Sequence, residues 1–377
     1  MTARSRTGTD TGDTAPTAAG PHPSGAVPDP AGRRLSLLDR GLPVWILAAM
    51  ALGLALGHGV PLLPALLDRA RIGSVSVPIA AGLLIMMYPV LAKVRYRHLD
   101  RVLTDRRLMI TSLVLNWLVS PAIMFALAWW LLPDLPEYRT GLVIVGLARC
   151  IAMVLIWNDL ACGDGDAAAV LVAVNSVFQV VAFGALGWFY LQVLPRWLGL
   201  PTTSADFSVV TITVSVLVFL GIPLLAGFLT RTVGERRRGT EWYERRLLPR
   251  LGPWALYGLL FTIVVLFAFQ GERILARPLD VARIALPLLA YFTVTFALGL
   301  VLGRLLRLGY PRTTTLAFTA AGNNFELAIA VAIGTFGVAS GQALAGVVGP
   351  LIEVPVLLAL VHVALALRSR LEPRSAT

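Results

Sequence analysis

The sequence predicts an all-α integral membrane protein of ten transmembrane helices in two inverted repeats of five, with spans four and nine discontinuous. Three observations lead there. The residues are 57% hydrophobic and only 14% charged, with a mean hydropathy of +0.76, whereas a soluble domain carries about 25% charged residues. The same hydrophobicity excludes a disordered chain. The apolar residues also gather into ten runs, each close to the roughly 20 residues that cross a bilayer. Finally, the basic residues alternate between the connecting segments as one membrane orientation requires.

Taken in order, residues 1–38 are rich in Thr, Ala, Pro and Gly and hold no apolar run. They are read as a disordered cytoplasmic tail and not as a signal peptide. Apolar runs follow at 42–63, 73–92, 108–132, 141–160 and 167–194, then at 209–230, 253–270, 281–304, 314–336 and 343–367. Gly and Pro inside them are compatible with spans, because neighbouring helices can satisfy the freed backbone groups. Domain boundaries follow as a first five-helix repeat at 39–200, a second at 201–370 and a short cytoplasmic tail at 371–377.

The connecting segments test this count. The chain carries a net charge of +11, which in another context suggests nucleic acid. Here all but one of the basic residues are Arg, and nearly all lie between apolar runs. With the N-terminus inside, the inner segments hold 22 Lys and Arg and the outer segments seven. Both termini are then cytoplasmic, and the basic residues serve topology and not a nucleic-acid partner. A miscount by one helix would scramble the alternation. The expected setting is the cell membrane, with the lipid bilayer as the surrounding solvent.

Ten helices divide into two fives, and weak internal similarity joins spans four and nine. Ala148-Arg149-Cys150 falls opposite Ala321-Gly322-Asn323, and the segment from Asn175 to Val180 falls opposite that from Gly349 to Val354. An odd number of helices per half makes the second half enter from the opposite side, the inverted repeat of many secondary transporters.

Ionisable residues inside spans are costly and mark function. They are few here: Arg149, Glu326 and Glu353, with Asp159 and His362 as lesser candidates. Arg149-Cys150 lies midway along span four, and an irregular end is expected at Trp157-Asn158-Asp159. In span nine, Gly322-Asn323-Asn324 favours non-helical backbone. Non-helical backbone at membrane depth must be buried or line a water-filled cavity, and matched interruptions in two halves point to a transporter's binding site. Cys150 is a soft ligand with the field of Arg149 beside it. Glu353, between Pro350 and Pro355, is placed to relay protons or to pair with Arg149; its repeat partner is the neutral Gln179. Cys162 is read as incidental, and two cysteines give neither a disulfide framework nor a zinc spacing. Gly163-Asp164-Gly165-Asp166 matches the motif of intramembrane aspartyl proteases, whose chemistry needs two apposed carboxylates sharing a proton, but no Tyr-Asp lies inside any span and this stretch reads as a short loop. Asp166 is instead expected to start span five.

These residues carry a resemblance. Gly146 to Val154, Trp157 to Ala161, Asn175 to Val180, Phe318 to Ala330 and Gly349 to Val356 resemble the ACR3 family of arsenite efflux carriers, over about 40–367. The resemblance implies a bile-acid-transporter-like fold with crossed, broken spans four and nine. It implies export of arsenite, and in some members antimonite, against protons, with the essential cysteine at Cys150 and the essential acidic residue at Glu353. It implies no enzymatic activity and no cofactor. Arsenite near neutral pH is an uncharged trihydroxide. Its hydroxyls are expected to meet Asn175, Gln179, Asn323 and Asn324, and its arsenic the sulfur of Cys150, since soft thiolate ligands suit soft elements. One Cys permits release where a three-thiol cage would hold. Glu353, Arg149 and Glu326 are the residues expected to couple protons. The competing readings are a sodium-coupled carrier of organic anions on the same fold, and the intramembrane protease.

Overall fold

The computed structural model describes residues 41–60, 71–72, 75–94, 105–202 and 209–371. The expected terminal tails at 1–38 and 371–377 lie outside these residues, but for the first position of the latter. The described chain is helical apart from one small hairpin. In order come α1 (Leu42–Gly59), β1 (Arg71–Ile72), β2 (Val75–Ser76) and α2 (Val77–Ala92). Next are α3 (Arg106–Leu131), α4 (Pro136–Leu147), α5 (Met153–Leu160), α6 (Gly165–Trp197) and α7 (Val209–Arg238). The last are α8 (Leu248–Ala276), α9 (Pro278–Leu305), α10 (Gly309–Ala321), α11 (Phe325–Phe336) and α12 (Gly341–Leu371).

The hairpin, with Arg71 opposite Ser76 and Ile72 opposite Val75, has two residues a side and leaves the described chain in the all-α class expected. Its β-branched residues favour extended backbone, so the second apolar run becomes helical only from Val77. Among the described residues, six helices are long and apolar enough to cross a membrane: α3, α6, α7, α8, α9 and α12. The fourth and ninth runs are each divided, into α4 with α5 and α10 with α11. Several helices present apolar side chains outward, among them Val181, Leu225 and Leu286, as lipid-facing helices do.

Proline shapes four of these helices in one way. Each of the π-helical turns Leu115–Val119, Phe189–Val193, Leu217–Gly221 and Tyr243–Leu247 ends two residues before a proline: Pro121, Pro195, Pro223 and Pro249. A proline ring clashes with the carbonyl four residues earlier and supplies no N–H. In all four cases that carbonyl lies at the centre of the wide turn, which makes room for the ring.

Packing falls into two groups. In one, α8 lies against α1 and α2, and α7 lies against α2. Glycine permits the close approach: a Cβ at Gly258 would stand 2.7 Å from the Met86 backbone nitrogen. In the other, α12 packs on α4, α9 and α11, α9 packs on α10 and α3, and α6 packs on α10 and the start of α7. This second group holds both divided runs.

Contacts between helix ends are specific. The hydroxyl of Tyr138 donates to Asp280, the backbone N–H of Gly341 donates to Glu137, and Arg283 pairs with Asp134. Elsewhere Arg312 reaches both Asp105 (2.8 Å) and Asp164 (3.4 Å), the residues whose side chains cap α3 and α6. The cap of α6 is therefore Asp164, accepting from the Ala167 N–H. Asp166, expected to start this helix, lies within its first turn. Arg231 donates to the Lys93 carbonyl.

Candidate functional site

The site begins where α4 stops. After Leu147 the backbone of Ala148 turns extended (φ −85°, ψ 110°), and the helix resumes at Met153. Likewise α10 stops at Ala321, Gly322 is extended (φ −70°, ψ 140°), and α11 resumes at Phe325. The two extended stretches cross and pair antiparallel, with Arg149 opposite Asn323. The Cys150 N–H donates to the Gly322 carbonyl (3.3 Å) and the Asn324 N–H to the Ala148 carbonyl (2.9 Å).

In this register Arg149 and Asn323 are a non-hydrogen-bonded pair, so their own N–H groups face outward along the two edges of the ribbon. Each edge is closed by a side chain 30 residues further along the chain. The Arg149 N–H donates to Gln179 Oε1 from α6. The Asn323 N–H donates to Glu353 Oε1 from α12 (3.2 Å). Open sheet edges are not tolerated in the bilayer interior, and here both are covered.

The breaks also cap one another. A helix ends with four carbonyls lacking intrahelical donors. At α4, Asn323 Nδ2 takes the Val145 carbonyl (2.6 Å) and reaches the Ala148 carbonyl (3.3 Å), while the Arg149 guanidinium takes the Gly146 carbonyl. At α10, the Ala320 carbonyl accepts from Arg149 (3.3 Å) and from the Ser120 hydroxyl (3.4 Å). The restarting helices are capped too: Asn324 Oδ1 accepts from the Leu327 N–H (3.0 Å), and Cys150 Sγ from the Val154 N–H (3.3 Å).

Cys150 is buried. Gly322 lets the other strand pass over it; a Cβ there would stand 3.0 Å from Cys150 Cβ. Glu353 is buried, and Arg149 and Gln179 are wholly so. Around the crossing, Gln179 Nε2, Asn324 Nδ2, Arg149 Nε and Asn323 Oδ1 are buried without a protein partner. Three are donors and one an acceptor, and buried polar atoms of this kind call for an explanation.

The expected site residues therefore divide. Cys150, Arg149, Gln179, Asn323, Asn324 and Glu353 meet at the crossing. Asn175 lies one turn before Gln179, but its Oδ1 accepts from the Trp117 indole (3.0 Å). Glu326 is half-buried in the first turn of α11, where a carboxylate complements the helix dipole. Cys162 is exposed. The alternative pairing of Glu353 with Arg149 does not occur. The guanidinium turns to the carbonyls of Gly146 and Ala320. Nor is Trp157-Asn158-Asp159 irregular: these residues are helical within α5, and the interruption lies at 148–152. The carbonyls of Val145, Gly146, Ala148 and Ala320 escaped the sequence reading, because a backbone acceptor leaves no mark in residue type.

Two interrupted helices crossing among long apolar ones, with polar groups converging on the crossing, define a multi-pass membrane carrier. Comparison with known proteins makes this particular. Residues 80–277 match the sodium/bile acid symporter family. An arsenical-resistance protein Acr3 of Corynebacterium glutamicum is 59% identical over 344 residues, covering 91% of this chain and 93% of its own. Another Acr3, from Alkaliphilus metalliredigens, is 33% identical over 88% of this chain and 94% of its own. An uncharacterised transporter of Synechocystis is 36% identical over 88% and 90%. The chain belongs to the ACR3 family of arsenical-resistance proteins within the sodium/bile acid symporter family; it is a membrane transporter and not an enzyme.

Proposed function

We infer that this protein exports arsenite from the cytoplasm across the cell membrane in exchange for protons. The observation that carries the reading is the buried thiol of Cys150 at the crossing of two broken helices. The thiol belongs to the ribbon around which four buried polar atoms, Gln179 Nε2, Asn324 Nδ2, Arg149 Nε and Asn323 Oδ1, have no protein partner, in a chain 59% identical to an arsenical-resistance protein. An uncharged trihydroxide offers both donors and acceptors to such groups, and its arsenic offers a soft centre to sulfur. Antimonite has the same chemistry and fits the same site.

Glu353 is the coupling residue in this reading. As a carboxylate it accepts a charge-assisted hydrogen bond from the Asn323 N–H, and such bonds are roughly twice as strong as neutral ones. A proton on Glu353 weakens that bond and loosens one edge of the ribbon. Glu326, one turn from the ribbon, is a secondary proton site.

The same reading takes the chain as ten spans in two inverted repeats, at 39–200 and 201–370, with both termini cytoplasmic. Two things support it. Bridge residues Arg149 and Asn323 have edge partners at the same spacing, 30 residues on. The end contacts also sort as the alternation requires. Asp134, Glu137, Tyr138, Asp280, Arg283 and Gly341 meet among themselves at ends assigned outside. Asp105, Asp164 and Arg312 meet at ends assigned inside.

The test is arsenite uptake into inverted membrane vesicles with an imposed pH gradient, alongside arsenite tolerance of an efflux-deficient cell expressing the chain. Gradient-driven uptake and raised tolerance are expected. Uptake of an organic anion driven by sodium, with none of arsenite, would replace the reading with the bile-acid-like one.

A further inference from the structure

The family's name carries sodium, and carriers with discontinuous helices hold coupling cations at unwound carbonyls and half-helix C-terminal ends. At this crossing those acceptors are already taken. Gly146 lies in the last turn of α4 and Ala320 in the last turn of α10; both carbonyls accept from the one guanidinium of Arg149. The neighbouring carbonyls of Val145 and Ala148 accept from the Asn323 amide. The acceptors present therefore do not fit a mobile sodium ion.

Arg149 is fully buried, and among the described residues it forms no ion pair with a carboxylate. An isolated buried charge is costly. What offsets it is the pair of helix ends: each C-terminus carries roughly half a negative elementary charge, so two together oppose the one positive charge of a guanidinium. Arg149 also belongs to the ribbon itself, where Gln179 holds its N–H.

We propose that Arg149 is a tethered cation: its guanidinium fills the place between the ends of α4 and α10 that a coupling cation would take, which makes the crossing indifferent to sodium. The inference rests on the reading of the crossing as the transport site and adds to it what the site excludes. It gives Arg149 a static role and leaves proton coupling to Glu353. Removing the guanidinium while keeping the carbonyls should leave a negative cradle that external cations enter.

The experiment measures thermal stability of the purified, full-length protein in sodium chloride and in choline chloride, with no arsenite present. The wild type is expected to melt at the same temperature in both. Arg149→Ala is expected to melt lower in choline and to recover part of the loss on adding millimolar guanidinium or sodium, as a ligand that binds only the folded state must do. Arg149→Lys keeps a cation and should remain indifferent to sodium. In vesicles, Arg149→Ala should lose about tenfold or more of its transport and regain it in part with guanidinium. Sodium-dependent stabilisation of the wild type would overturn the proposal without any variant having to fold. So would an Arg149→Ala protein that both added cations leave unchanged. Because the melting arm uses no arsenite, a wrong substrate shows only in the vesicle arm, and a wrong role for Arg149 shows in both.

Discussion

The two breaks make the same backbone crossing with different side chains. In the first, between α4 and α5, the sequence is Ala148-Arg149-Cys150-Ile151-Ala152, and the outer edge is held by a neutral amide, Gln179. In the second, between α10 and α11, it is Gly322-Asn323-Asn324, and the edge is held by a carboxyl, Glu353. The first break carries the cation and the thiol. The second carries the capping amides and the one edge group that can change its charge. The comparison teaches that repeated backbone and unrepeated chemistry can coexist: the backbone needs only donors and acceptors at fixed places, and any residue supplying them will do. In the function proposed above, the thiol and the coupling carboxyl therefore belong to different breaks of one ribbon.

The largest effects should come from erasing what differs between the breaks. Glu353→Gln makes the two edges alike. The Asn323 N–H keeps an acceptor, so the protein should fold and bind arsenite, while gradient-driven uptake into inverted vesicles should fall to background. Glu353→Asp should retain part of it. Full uptake by the Gln variant would move coupling elsewhere, with Glu326 next. Cys150→Ser keeps the shape of the first break but removes the soft ligand. Arsenite uptake should fall to background with the protein still in the membrane, whereas exposed Cys162→Ser should transport as wild type. Equal losses in the two serine variants would remove the single-thiol site.

A smaller effect is expected where the breaks touch. Gly322→Ala puts a methyl group 3.0 Å from Cys150 Cβ and 3.3 Å from the Phe318 carbonyl. Overpacking of this kind costs about 1–3 kcal/mol, readable as a lower melting temperature together with slower transport. An unchanged melting temperature would mean that the strands separate easily.

Next come the caps. Asn323→Leu takes the second donor from the Val145 and Ala148 carbonyls, which keep the N–H groups of Ala148 and Asn324, at about 0.5–1.5 kcal/mol for each hydrogen bond lost. Asn324→Ala loses one helix cap, worth about 1 kcal/mol. The order of destabilisation, Asn323 before Asn324, can be read from thermal unfolding, and the reverse order would mean that the cross-cap is not what holds the first break open. The smallest effect belongs to Arg312→Ala. That residue is about half exposed, with 48% of its side chain accessible, and ion pairs at such positions are worth about 0–1 kcal/mol; its melting shift should be barely resolvable.

Much of the fold is legible in the sequence. Apolar runs of bilayer length, separated by arginine-bearing segments, are local facts, because hydropathy belongs to each residue whatever it touches. The break at Gly322-Asn323-Asn324 is legible for the same reason, since glycine and asparagine favour non-helical backbone by themselves. The break at 148–152 is another matter. Ala, Arg and Ile are residues that a helix accepts, and nothing in their types stops one. The sequence pointed instead to Trp157-Asn158-Asp159, which is helical.

What opens the first break is the second. Asn323 and Asn324, more than 170 residues away in the chain, satisfy backbone groups that helix bonds would otherwise take. The fate of Arg149 is decided in the same place. Its residue type announces a costly buried charge but not a partner, and a carboxylate was the obvious candidate. Only the meeting of two helix ends supplied carbonyl oxygens instead. Residue types thus determined which segments enter the membrane and which polar groups go with them. Tertiary structure decided which of those groups satisfy one another, because a hydrogen bond between distant segments depends on a geometry that neither segment contains alone.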